Sequence, residues 1–161
     1  MRARVIVSVV LAAGVLLGTS GCNLLAPQST TKQYDASDGV SGNVGEIAVR
    51  NAIVLSKDGS TGSLLVTVVN SGESAHSLNV QFTGATGKVT QKVTVKAGST
   101  TAFGTKDAPL IPMDAISAAP GSLFPVFFQY GDQTGIQLLV PVLDGTLSPY
   151  ATLIPTAAPT P

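Results

Sequence analysis

Ser63-Leu64-Leu65-Val66-Thr67-Val68-Val69-Asn70-Ser71-Gly72-Glu73 is an apolar, β-branched run closed by a turn signal. Apolar side chains fall on both parities of residues 63–69, the pattern of a strand covered on both faces in mid-sheet. Asn and Gly then admit backbone conformations that other residues resist, so the chain turns at 70–73. Beyond the turn, Leu78, Val80 and Phe82 alternate along a second strand. Before it, residues 46–55 read as a strand with Ile47 and Val49 inward. A change of phase near Asn51, ahead of Ile53 and Leu55, predicts a bulge there.

The same grammar continues through the chain. Gly84-Ala85-Thr86-Gly87 turns into residues 88–96, where Val89, Val93 and Val95 share one face and Lys88, Lys92 and Lys96 face water. Residues 100–103 make a short strand. Residues 105–122 hold three prolines and no strong period, which predicts a long loop with one helical turn at 114–118. Phe124, Val126, Phe128 and Tyr130 alternate again. Residues 136–143 complete a pair with them, and Pro141 argues for an edge or a bulge. Short β-branched runs between Gly, Asn, Asp and Ser turns predict an all-β fold, a Greek-key β-sandwich of about seven to eight strands, resembling the immunoglobulin and cupredoxin sandwiches.

The N-terminus follows a different logic. Arg2 and Arg4 precede thirteen apolar residues, 5–17, and small residues then lead to Cys22, the only cysteine. A helix of thirteen residues reaches about 20 Å, short of the ~30 Å hydrocarbon core. A basic start, a short apolar run and a small-residue ending are the layout of a secretory signal. Ser20-Gly21-Cys22 resembles a bacterial lipobox, in which the thiol is diacylated and cleavage leaves the cysteine first; Thr19 stands where such boxes most often carry Leu. The expected organisation is therefore a lipoprotein signal peptide at 1–21, a lipidated Cys22 with a flexible tether at 22–33, a β-sandwich at 34–150, and a Pro/Thr/Ala-rich disordered tail at 151–161. The expected location is the extracytoplasmic face of the cell membrane, held by the lipid anchor.

Removing residues 1–21 leaves seven basic against nine acidic residues, a net of two negative charges. That balance lacks the basic footprint of a nucleic-acid binder or of an anionic-lipid binder. With Cys22 acylated no thiol remains for a disulfide, so stability rests on the apolar core.

Val66-Thr67-Val68-Val69-Asn70-Ser71-Gly72-Glu73, then Val95-Lys96-Ala97-Gly98-Ser99-Thr100, residues 124–131 and Gly135-Ile136-Gln137-Leu138-Leu139-Val140-Pro141-Val142 occur in an order that resembles the periplasmic copper chaperone-like β-sandwich family. Tyr34-Asp35-Ala36-Ser37-Asp38-Gly39-Val40, followed by Val49-Arg50-Asn51-Ala52, looks like the actinobacterial cell-envelope lipoprotein branch of it. The resemblance covers about residues 34–150. It implies a Cu(I) site built from two His and two or more Met, ligands soft enough for that ion. This chain has one histidine, His76, and one methionine after cleavage, Met113. His76 falls in a turn, and the segment where the family's first ligand sits reads Gln81-Phe82-Thr83-Gly84. The copper ligands are missing, and kinship of fold carries no metal function by itself.

Other chemistry has little material. His76 beside Glu73 and Ser74 reads as a solvated turn residue, Met113 as a gap filler, and Asp35 with Asp38 as turn caps. The sequence holds no Gly-x-Ser-x-Gly elbow, phosphate-cradling Gly loop or His-x-x-x-His pair. No enzyme and no cofactor are expected. The favoured reading is a lipid-anchored binding or scaffold lipoprotein of unknown ligand that offers its loops, especially 105–122, to an envelope protein or an apolar ligand. The alternative is a divergent copper or metal carrier using His76 and Met113.

Overall fold

The computed structural model describes residues 2–25 and 34–155, with the first segment's side chains described through Val15. The chain separates into two compact units, residues 1–34 and 35–161. The first holds α1 (Arg2–Leu25), a helix through the apolar segment. Among the described residues, no helix is long and apolar enough to cross a membrane. Cys22 falls within α1; its side chain, and residues 26–33 of the expected tether, lie outside the described residues.

The second unit is all-β. Its strands are β1 (Val40–Val44), β2 (Ile47–Ser56), β3 (Thr61–Asn70), β4 (His76–Gly84), β5 (Gly87–Val95), β6 (Thr100–Phe103), β7 (Ile111–Asp114), β8 (Leu123–Gln129) and β9 (Ile136–Leu143). They form one sheet in the order β5-β4-β8-β9-β2-β3-β6, with β1 added beside β2 and β7 beside β3. All pairs are antiparallel except β2 with β9, where Val54 meets Val142 and Leu55 meets Leu143 in parallel register. That short pair links the two halves of the sandwich-like all-β fold, so the strands form one mixed sheet curled around its core. One half supplies Val49, Val66 and Val68 to the core and the other Leu78, Val80, Val126 and Phe128. Among the described residues every core side chain, from Val40 onward, comes from this unit, which therefore has the means to fold alone.

The described residues form nine strands, two more than the runs read from the sequence. β1 was masked by its own composition, with two valines around Ser, Gly and Asn. β7 lies inside the expected 105–122 loop, where Ile111 and Met113 face inward against Leu64 and Gly62 of β3. Pro112 is tolerated because β7 is an outer strand. No helical turn forms at 114–118. Ala115 takes φ 55°, after which the Ile116 and Ala118 amides donate to the Ser60 and Gly59 carbonyls at 3.0 Å each. Ile111, Met113, Ile116 and Ala118 of this segment are core, while the residues between them and Lys106, Asp107, Pro109 and Leu110 before them are exposed.

The bulge in β2 is where the sequence puts it. Register slips between Arg50 and Ile53, and Asn51 takes φ 50°, a left-handed conformation Asn accepts more readily than most residues. Its side-chain oxygen receives the Gly39 amide at 2.9 Å. The slip moves the main core from odd to even positions, so Ala52 and Val54 continue the row begun by Ile47 and Val49. Ile53 and Leu55 turn to a second cluster with Leu65 and Tyr150. Leu153 and Ile154 pack against that cluster, so the tail expected to be free from 151 is docked through Ile154. Residues 156–161 lie outside the described residues.

Candidate functional site

His76 and Met113 do not meet. Met113 is wholly buried in β7, opposite Gly62 near the start of β3. His76 opens β4 opposite Val95, whose carbonyl is within reach of Asn70 at the far end of β3. The eight residues from Gly62 to Asn70 span about 26 Å of strand. A shared two-residue metal site is therefore not assembled in this domain.

His76 is not the solvated turn group its neighbours suggest. Its side chain is 24% exposed and its ring stacks on Tyr130, centroids 4.4 Å apart and tilted by 40°. Its charged neighbour is not Glu73 but Glu46, in the β1–β2 turn, with Oε2 at 3.8 Å from Nε2. Nε2 is buried and has no hydrogen-bond partner. Tyr130 is fixed in turn, because its hydroxyl oxygen accepts the Glu46 amide N–H at 3.0 Å. Three loops thus converge at one end of the sheet, bringing a carboxylate, an imidazole and a phenol together.

Two glycines permit the approach. Gly45 has φ 50°, and a Cβ there would collide with the Tyr130 hydroxyl. A Cβ on Gly72 would collide with the Glu46 carboxylate. Behind them Asn70, 1% exposed, holds the turn shut. Its amide donates to the Ser74 carbonyl at 2.8 Å and the Lys96 carbonyl at 3.1 Å. Its oxygen accepts the Gly72 amide at 3.0 Å. The backbone carbonyl of Ser74 is thereby tied to Asn70.

A protonated His76 would face Glu46 as an ion pair, and a neutral one leaves Nε2 unpaired beside it. Ser71 Oγ, in the neighbouring turn, donates to the Glu46 carbonyl at 2.9 Å. Among the described residues, no three His, Cys, Asp or Glu side chains group as metal ligands would. Asp35 accepts the Ser41 amide at 3.0 Å, and Asp38 accepts the Tyr150 hydroxyl at 2.7 Å. That bond, together with burial, pushes the Tyr150 hydroxyl up to about 12. At the opposite end an open depression of about 490 Å³ is lined by Lys57, Asp58, Thr61, Asp144 and Ile154 among others. Asp58 is held below its ordinary value by the Ser60 and Thr61 amides, and Asp144 by the Thr146 amide and hydroxyl. Both carboxylates are occupied in shaping their own turns.

No family model, curated protein or solved structure matches the chain.

Sequence reading missed Glu46 and the pairing of His76 with Tyr130. Tyr130 carried a usable signal, its place at the end of the inward series Phe124, Val126, Phe128. Glu46 carried none, since it reaches His76 only through the pairing of β2 with β3.

Proposed function

We propose that this chain is a lipid-anchored, extracytoplasmic binding or scaffold lipoprotein that holds its β domain at the outer face of the cell membrane for an envelope protein. The observation that carries the reading is the sequence around Ser20-Gly21-Cys22, behind a basic start and an apolar run too short to span a bilayer. A domain whose core, among the described residues, begins only at Val40 supports it. Diacylation plus N-acylation supplies several buried alkyl chains, enough for durable attachment without protein contact. The Glu46–His76–Tyr130 end, with its fixed polar groups, supports a recognition role better than a catalytic one.

The test is metabolic labelling with an alkyne fatty acid, followed by mass spectrometry of the N-terminal peptide. Acyl label on a peptide beginning at Cys22, and membrane fractionation lost in Cys22→Ser, are the expected results. A free Cys22 thiol in a chain recovered outside the membrane fraction would refute the reading.

A further inference from the structure

The outer face of β5-β4-β8-β9 has an unusual composition. On β8, Leu123, Pro125 and Phe127 point outward, and on β9 Leu139 and Pro141 stand opposite Pro125 and Leu123. Leu123 is 59% exposed and Leu139 53%. Phe127 is held in place because its ring lies over Gly135, where any Cβ would strike it. The next strand presents Asn79 and Gln81, and the outermost presents Lys88 and Lys92, with Lys92 opposite Asn79. The chain has nine Asp and Glu residues, and none lies on these four strands. The overall charge balance argued against an anionic surface; the placement of the charges reverses that argument for this face.

We propose that this face lies against an anionic lipid surface, with Leu123, Phe127 and Leu139 reaching below the headgroups and Lys88 and Lys92 meeting the phosphates. Interstrand spacing sets the lysine column about 10 Å from Leu123 on β8 and about 14 Å from Leu139 on β9, a footprint of a few headgroups. Exposed apolar side chains beside cations and without carboxylates are the composition such an interface selects. The proposal gains from the anchored reading without depending on it for its test. With Cys22 in the bilayer, residues 23–34 allow no more than roughly 40 Å of chain before the domain. Confinement at that distance raises the effective lipid concentration enough for a weak face to stay docked.

The domain spanning residues 34–161 contains the whole core and can be tested without lipid attached. It would be sedimented with vesicles of equimolar phosphatidylglycerol and phosphatidylcholine, and with phosphatidylcholine alone. Binding is expected on the anionic vesicles, weakened by salt. The double substitution Lys88→Gln, Lys92→Gln should lower the partition coefficient roughly thirtyfold. Leu123→Ser with Leu139→Ser should weaken it on both compositions; all four side chains point outward, and an unchanged melt verifies the fold. Equal partition on the two vesicles, or variants that partition as the parent does, overturns the proposal. So does self-association of the domain that Leu139→Ser abolishes, which would assign the face to a second copy. An unmodified Cys22 alongside anionic-vesicle binding would remove the anchor and leave this face standing; acylated Cys22 without vesicle binding would do the reverse.

Discussion

Asn70→Ala should be the most informative single substitution in this domain. The side chain is buried and its amide group is fully engaged: Nδ2 donates to Ser74 and Lys96, with a longer contact to the Val95 carbonyl at 3.4 Å, and Oδ1 accepts from Gly72. Lys96 keeps a second donor, the Ser99 hydroxyl at 2.7 Å, so truncation orphans chiefly the Ser74 carbonyl and the Gly72 amide. Two or three lost bonds at ~1 kcal/mol each, with orphaned groups partly rescued by water, give about 2–4 kcal/mol. For a domain of this size, between the small and large ranges of melting behaviour, that corresponds to a fall of roughly 8–15 °C in Tm. The chain has no tryptophan, so the assay is urea and thermal unfolding followed by far-UV circular dichroism. Asn70→Asp provides the control. It keeps the acceptor for Gly72 but turns an oxygen toward the Ser74 and Lys96 carbonyls, so it should be worse than Ala at neutral pH and should recover in acid, when a protonated carboxyl can donate. A loss for Asn70→Ala below ~0.5 kcal/mol, with an unchanged denaturant slope, would refute the assignment of this side chain as the lock of the turn.

Tyr150→Phe should cost about 1–2 kcal/mol through the bond to Asp38, measured by urea midpoint at neutral pH. The hydroxyl is raised from 10.0 to about 12 in the fold, so its contribution is complete below pH 10 and disappears as pH climbs through 12, a swing of at most about 2–3 kcal/mol. That alkaline loss should be absent from Tyr150→Phe, and an identical pH profile in the two proteins would contradict it. His76→Phe retains an aromatic partner for Tyr130 and removes a buried, unpaired nitrogen, so stability should hold or rise by up to ~1 kcal/mol; a clear drop in Tm would show that Nε2 is paired. Ending the chain after Tyr150 removes Leu153 and Ile154 from the second cluster, which should lower stability by about 1–2 kcal/mol and raise dye binding to the exposed Ile53 and Leu55.

Much of the architecture could be read from the residues because it is governed by parity. The alternation at 124–130 and the phase slip at Asn51 are local signals, and each became the structure they predict. β7 escaped because four residues with one proline give too short a period, and its identity as a strand is conferred by β3. The docking of Leu153 and Ile154 escaped for a related reason: two apolar residues in a Pro/Thr/Ala context acquire meaning only when a bulge elsewhere turns Ile53 and Leu55 to receive them. The cluster at Glu46, His76 and Tyr130 was the least legible part. It is assembled by register between residues 30 to 84 positions apart in sequence, and no spacing along the chain encodes that. Charge placement behaved likewise, since a near-neutral total concealed four adjacent strands without a carboxylate.

The parallel contact between Val54 and Val142 bears on when this protein can become itself. Residues 54 and 142 are separated by most of the domain, and the Tyr150–Asp38 bond spans 112 positions. Neither closure is available to a nascent chain until its last strand has emerged. Contacts of such long range also slow folding once the chain is free. A growing polypeptide of this sequence therefore stays open until β9 has been made, with hairpins such as β4–β5 able to form early and the sheet unable to curl shut. An incomplete chain is consequently easy to thread and easy to degrade, and the step that ends both vulnerabilities is the arrival of β9 beside β2.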